Sequence, residues 1–252
     1  MIEISGVSKA YGEAVVVDDV SVTLPRGGIV SIIGPNGAGK STLLSMIARL
    51  IPMSTGSIVV DGLDITKTPS NELAQRLSIL RQDNHLAARL TVHDLVSFGR
   101  FPYSKGRLTP EDIRLINEAI AHLDLQPFAH RFLDELSGGQ RQRAFVAMVL
   151  CQGTDFVLFD EPLNNLDVRH ATGMMKILKH AAEDLGRTVV VVLHDINYAS
   201  AYSDRIIAMK DGKIHQQGTP EEIIRADILE DIYCTAFEIH EIGGKRIVTY
   251  YQ

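Results

Sequence analysis

Cysteine is nearly absent from this chain. Cys151 and Cys234 are the only two in 252 residues, and their spacing matches no zinc or dithiol motif. That argues against a disulfide-built fold or a thiolate metal centre, and two lone thiols suit a reducing cytoplasm. Long hydrophobic runs are missing as well: the most apolar stretches, such as Val189 to Leu193, are far shorter than the roughly 20 residues a spanning helix needs. Met1-Ile2-Glu3-Ile4 has neither the basic start nor the apolar stretch of a signal peptide. Any service to a membrane is therefore expected from its cytoplasmic side. No basic stripe stands out and the formal net charge is −6. Nucleic acid is not expected as a main partner, because phosphate contacts need clustered Lys and Arg. No repeat, low-complexity segment or Pro/Gly/Ser-rich linker divides the sequence, so residues 1–252 are expected to form one domain.

What remains is an ordinary globular composition, 45% apolar and 22% charged, at a length that suits one large α/β domain or a domain with an embedded subdomain. The first third alternates apolar and polar residues, as in Val20, Val22 and Leu24, the pattern of a half-buried strand. Asp61-Gly62 after Ile58-Val59-Val60 reads as a turn. A small antiparallel sheet is expected here, interleaved with the first strand of a parallel core. Phe156–Phe159 and Val189–Leu193 are continuously apolar, as strands covered on both faces are. Between them Met174, Ile177, Leu178, Ala181 and Leu185 recur at helical spacing, with Asp167 to cap the start and Gly186 the end. Strand, helix, strand at this length predicts a crossover in a parallel sheet. Residues 87–150 read as an inserted helical subdomain, leaving 1–86 and 151–252 for the core. Within it Thr109-Pro110-Glu111-Asp112 starts a helix with Ile113, Ile116, Ile120 and Leu123 on one face. Thr219-Pro220-Glu221-Glu222 opens another, with Glu222 placed for a capping box.

Gly34-Pro35-Asn36-Gly37-Ala38-Gly39-Lys40-Ser41 fits the phosphate-binding loop pattern, whose fixed positions are Gly34, Gly39, Lys40 and Ser41. Ile29–Ile33 precedes it as a strand and Thr42–Leu50 follows as a helix, the context the pattern requires. Glycines let backbone N–H groups point into one concavity, and the helix N-terminus adds partial positive charge. A nucleotide is the expected ligand, with Lys40 reaching its β- and γ-phosphates and the Ser41 hydroxyl binding Mg²⁺. Asn36, Gly37 and Thr42 complete the expected cradle. Asp160 ends an apolar strand at the carboxyl edge of the sheet, where it should hold Mg²⁺. Glu161, one residue on, can polarise the attacking water that phosphoryl transfer needs. His194 ends the Val189–Leu193 strand on the same edge, where an imidazole can contact the γ-phosphate.

A second turn ready for an anion lies elsewhere. Leu136-Ser137-Gly138-Gly139-Gln140 precedes a helical run from Arg141 to Cys151, and Ser137 and Gly139 sit where that helix would present donors. From a separate helical lobe they cannot easily reach the nucleotide on Lys40, but they can reach one held by a facing copy. Here the sequence resembles the nucleotide-binding domains of ATP-binding cassette (ABC) transporters. Leu136 to Gln140 is that family's signature, and the order of phosphate loop, signature, Asp-Glu strand and His strand follows it along nearly the whole chain. The resemblance implies an α/β fold: a P-loop NTPase core with a parallel sheet, an N-terminal antiparallel β subdomain and an inserted α-helical subdomain. It also implies a nucleotide-bound homodimer, with ATP between Lys40 of one copy and Ser137, Gly138, Gly139 and Gln140 of the other. By the same resemblance Tyr11 stacks on adenine, and Gln82 touches Mg²⁺ and water while linking to a membrane subunit. Asp167 matches the aspartate of the loop that crosses the dimer seam. Many members carry a small or hydroxyl residue where this chain reads Asn164-Asn165-Leu166.

A compact cassette with no fused membrane domain looks like the ATPase of a bacterial importer. It is expected as a peripheral subunit at the cytoplasmic face of the inner membrane, acting on integral-membrane permease subunits and, through them, a substrate-binding protein. Gly99-Arg100-Phe101-Pro102, together with Gln140 to Leu150, is similar to importers of iron chelates, heme and cobalamin. Pro162-Leu163-Asn164-Asn165-Leu166-Asp167 is closest to those for ferric siderophores of the petrobactin type. Import of heme, cobalamin or another metal, and a soluble cassette ATPase without a membrane partner, are the competing expectations.

Overall fold

Along the chain, β1 (Ile2–Tyr11) and β2 (Ala14–Leu24) form a hairpin, followed by β3 (Ile29–Ile33), the turn 34–39 and α1 (Lys40–Ile47). Then come β4 (Thr55–Val60), β5 (Leu63–Asp64), α2 (Ser70–Leu73) and β6 (Leu77–Leu80). The next stretch carries α3 (Val92–Ser97), α4 (Phe101–Ser104), α5 (Pro110–His122) and α6 (Gly138–Cys151). The chain returns through β7 (Phe156–Asp160), α7 (Val168–Glu183), β8 (Thr188–Val192), α8 (Ile196–Tyr202), β9 (Arg205–Lys210) and β10 (Lys213–Gly218). It ends with α9 (Pro220–Ile223), α10 (Ala226–Tyr233) and the hairpin of β11 (Glu238–Ile242) and β12 (Lys245–Thr249). This is a computed structural model, and it describes residues 1–82, 88–164 and 166–250.

The strands separate into an antiparallel sheet, ordered β2-β1-β4-β5, and a larger sheet, ordered β10-β9-β3-β8-β7-β6. In the larger sheet all neighbours run parallel except β9 and β10. Its central strands are buried at every position, as their unbroken apolar runs require. Successive side chains of β7 and β8 point to opposite faces. Val157, Phe159, Val189 and Val191 pack toward α3, α5, α6, α7 and α10. Phe156, Leu158, Val190 and Val192 pack toward α1 and the antiparallel sheet. Two hydrophobic layers therefore share one sheet, and β3, β6, β7, β8 and β9 contribute to both. Among the described residues no helix is long and apolar enough to cross a membrane.

Helix starts follow the capping chemistry. Thr109 and Asp112 form a reciprocal capping box at α5, and Thr219 and Glu222 do so at α9. Asp167 caps α7, which stops at Glu183, and the chain turns away through Gly186 in the left-handed region. Two details differ from the helical-face expectation. Ile113 is exposed on α5, because Asp112 takes the inward place beside it and receives the buried Arg100 guanidinium at 2.9 Å. Leu185 lies beyond the last turn of α7 and is exposed, so it adds nothing to that face.

Candidate functional site

The phosphate loop is built by a strand that ends at Ile33 and a helix that begins without a side-chain cap. Gly39 occupies the cap position of α1 at φ 93, leaving the first helical N–H groups for an external acceptor. Glycine is required there twice over: by the left-handed backbone, and because a Cβ would lie 2.6 Å from the Val16 carbonyl oxygen of β2. Asn36 and Gly37 are exposed at the tip, and Thr42 is half-buried on α1. Lys40 is only 5% exposed. Its Nζ donates to the carbonyls of Gly34 and Pro35, both at 2.8 Å, so the ammonium ties the loop's entrance to its own side chain. Burial pushes the Lys40 amine below the ordinary lysine range, and the Glu161 and Asp160 carboxylates oppose that fall.

Sheet order then gathers the rest. Because β3, β8 and β7 are neighbours, Gly34, His194 and the Asp160-Glu161 pair emerge at one carboxyl edge. The Ser41 hydroxyl donates to Asp160 Oδ1 at 2.7 Å. Asp160 is buried, which raises its carboxyl above the usual range while the Ser41 bond pulls the other way. A hydroxyl beside a carboxylate is the hard oxygen donor set that suits Mg²⁺, which takes one or two carboxylates and completes its shell with substrate phosphates and water. No group of three or more His, Cys, Asp or Glu that could hold a metal ion occurs among the described residues.

Glu161 is held more elaborately. Its backbone sits at φ 52, a conformation that costs a non-glycine residue about 1–2 kcal/mol. Its side chain is nearly buried, with Oε1 2.6 Å from His194 Nε2. Oε2 accepts from Gln82 Nε2 at 2.7 Å and from Asn164 Nδ2. His194 thus spends its ring nitrogen on Glu161, a partner that the sequence reading does not foresee. A cavity of about 240 Å³ opens here, lined by Glu161, Asn164, His194, Asp195 and Tyr198.

Ser137 to Gln140 lie apart. Ser137 caps α6 and forms a box with Gln140: the Gln140 N–H donates to Ser137 Oγ at 3.3 Å, and the Ser137 N–H donates to Gln140 Oε1 at 2.9 Å. Ser137 and Gly138 are exposed, and Gly139 is half-buried. Among the described residues no hydrogen bond joins this turn to residues 34–42. Its ties run to the other side, where Gln142 Nε2 donates to the Pro162 carbonyl at 3.2 Å and the His170 ring sits against Gly139. Asp167 is likewise outside the Lys40 cluster, its carboxylate turned to His170. Tyr11 is 52% exposed at the end of β1, on the hairpin whose other strand meets Gly39 through Val16. One chain therefore assembles Lys40, Ser41, Asp160, Glu161, Gln82 and His194, and presents Ser137–Gln140 and Asp167 elsewhere. The sequence reading names Asn164 only within the seam loop, without its bond to Glu161, and misses His170; each lies three residues after a candidate site residue, Glu161 and Asp167. Asn165 falls outside the described residues.

Residues 17–164 match the protein family described as ABC transporter. The petrobactin import ATP-binding protein YclP of Bacillus subtilis is 53% identical and aligns over all of both chains. The petrobactin import ATP-binding protein FatE of Bacillus anthracis is 55% identical, over 95% of this chain and 96% of that one. Among solved structures, the dimeric post-hydrolysis state of the ATP-binding cassette MJ0796 bound to ADP and Pi superposes with a TM-score of 0.78. It is 32% identical and covers 87% of this chain and 99% of that one.

Proposed function

The chain belongs to the ABC transporter family, and from that premise we propose that it is the ATP-hydrolysing subunit of a bacterial importer for a ferric siderophore. Its catalytic activity is the hydrolysis of ATP to ADP and phosphate. The observation that carries the residue assignment is the buried Glu161 carboxylate, oriented by Gln82, Asn164 and His194 one residue beyond the Ser41–Asp160 pair. A carboxylate oriented by two amide donors and a neighbouring imidazole is suited to hold a water in one line of attack. Lys40 and the N–H groups at the start of α1 bind the triphosphate. Tyr11 supplies the stacking face for the base. Ser41, Asp160 and Gln82 would hold Mg²⁺, which when bound neutralises charge on the phosphate oxygens.

Among the described residues of one copy, no hydrogen bond ties Ser137–Gln140 to residues 34–42. The exposed turn Ser137–Gln140 and the Asp167 loop are, in this proposal, the parts that reach the nucleotide of a facing copy, giving a homodimer with two ATP molecules between its halves. Closure moves the helical stretch 87–150 as a lobe against the core formed by 1–86 and 151–252. The permease is proposed to seat beside Gln82; separately, Phe98 and Phe101 on the helical stretch are 51% and 58% exposed. Large exposed aromatic groups of this kind mark contact surfaces. The protein then works peripherally at the cytoplasmic face of the inner membrane. A substrate-binding protein delivers cargo to the permease from outside. The siderophore assignment is supported by whole-length likeness to two petrobactin import proteins.

Glu161→Gln should bind ATP, lose about 10²–10³-fold in turnover and accumulate as a dimer. Light scattering with ATP that shows monomer while turnover stays normal overturns the Glu161 assignment. Copurification should bring down a polytopic membrane protein. Uptake of labelled ferric siderophore, heme and cobalamin in a deletion strain should fail for the siderophore alone.

A further inference from the structure

The second glycine of the signature turn has an ordinary helical backbone, so conformation does not explain why it lacks a side chain. Space does. A Cβ built on Gly139 would stand 2.9 Å from His170 Cδ2, 3.2 Å from its Cγ and 3.3 Å from Nε2. His170 belongs to α7, not to the signature helix, and its ring is tied on the far side to Asp167. The Asp167 carboxylate caps α7 by accepting the His170 N–H at 2.8 Å and takes the ring nitrogen Nδ1 at 2.7 Å through the same oxygen. One side chain is thus clamped at one edge by the Asp167 loop and laid at the other against the Cα of Gly139. Gln142, one turn further along α6, adds a second tie to the same segment through the Pro162 carbonyl at 3.2 Å.

We infer that His170 is a positioning residue that locks the signature turn to the Asp167 loop, so that both arms meet the facing copy's nucleotide as one rigid unit. The inference rests on the proposed pairing of two copies across ATP. Two loosely joined arms must each be ordered when the dimer closes, whereas a pre-joined pair is ordered once. Losing the lock should therefore weaken closure without touching capture of ATP by the monomer, which depends on residues 34–42.

The test uses the full chain in the Glu161→Gln background, where the dimer is expected to persist. The ATP concentration at half-dimerisation is read by light scattering, beside monomer affinity for a fluorescent ATP analogue. His170→Ala should raise the half-point by about tenfold, within the range of coupling between sites, and leave monomer affinity unchanged. His170→Asn keeps an N–H donor at the position of Nδ1 and should recover most of the loss. His170→Leu fills the space against Gly139 but cannot bond Asp167 and should not recover it. These two variants carry the test if the alanine form folds poorly. Ser137→Ala is the control for the underlying reading. If Ser137→Ala blocks dimerisation while all three His170 forms match the parent, the lock is refuted and the pairing stands. If the parent never dimerises, or Ser137→Ala is without effect, the pairing fails and the lock with it.

Discussion

Alanine at Gly37 and at Gly39 should damage the protein to different degrees, and the difference can be worked out atom by atom. Both glycines have positive φ, 82 and 93, so each alanine costs about 1–2 kcal/mol for the left-handed backbone alone. The surroundings then diverge. Nothing lies within 4 Å of a Cβ at Gly37, whereas at Gly39 it meets the Val16 carbonyl oxygen at 2.6 Å and Val17 Cγ2 at 3.1 Å. Relief would require the backbone of β2 or the start of α1 to move, an overpacking cost of about 1–3 kcal/mol more. For a chain of this size 1 kcal/mol corresponds to roughly 2–4 °C in Tm, so Gly37→Ala should lower it by about 5 °C and Gly39→Ala by about 10 °C. Circular dichroism melts of the nucleotide-free chain measure both. Gly39→Ala should also lose ATP affinity, because any shift moves the N–H groups at the head of α1. Equal melting shifts for the two variants, or a larger one at Gly37, would refute the steric argument.

Two further outcomes follow from buried charges. Lys40→Ala should cut ATP affinity by more than about tenfold, while the free chain loses little or no stability, since burial already disfavours the Lys40 ammonium; calorimetric titration showing unchanged affinity contradicts its role. Asp112 is buried, accepts from Arg100 and from both the N–H and hydroxyl of Thr109, and its carboxyl is held below the ordinary value of 3.8, chiefly by the Thr109 backbone bond and the Arg100 bond. A depressed folded value means that its stabilisation is complete above pH 3.8 and is lost as pH falls through the folded value. Asp112→Asn should therefore cost about 3 kcal/mol in urea unfolding near pH 7, with the gap to the parent narrowing in acid; a gap that persists in acid removes the ionic explanation.

Much of this was legible because the decisive features are contiguous. An unbroken β-branched run such as Val189–Val192 reads as a strand covered twice, and the two hydrophobic layers meet on that strand. Gly34–Ser41 carries its own context, strand before and helix after. Capping boxes at Thr109 and Thr219 are likewise local, set by one hydroxyl and one carboxylate three residues apart. What stayed hidden depends on distant partners. Ile113 reads as a core position until Arg100, twelve residues earlier in pairing with Asp112, claims the inward direction of the helix. The left-handed backbone of Glu161 has no signature in residue type, since glutamate is a poor choice for it. The contact of His194 with Glu161 requires β7 and β8 to be neighbours, which the two runs suggest but whose side-chain geometry they do not contain.

The surface of the chain can be set against the proposed pairing. A space of about 480 Å³ lies between α5, α6 and α7, lined by residues such as Tyr103, His122, Cys151 and His180 that the chemistry does not use. The cavity at Glu161 is half as large. In the proposed pairing, the wall opposite Lys40 must be sought on a surface that faces outward. Ser137–Gln140 and Asp167 supply such a surface. They are also joined to Glu161 from behind: Asn164 bonds its carboxylate, the neighbouring Pro162 carbonyl receives Gln142, and His170 closes the path against Gly139. In the proposed dimer this path runs from the hydrolytic group of one site to the arms presented at the other. A row of contacts becomes coupling only where its members shift together, so the weight falls on whether removing His170 changes dimer closure while leaving each chain's own grip on ATP intact.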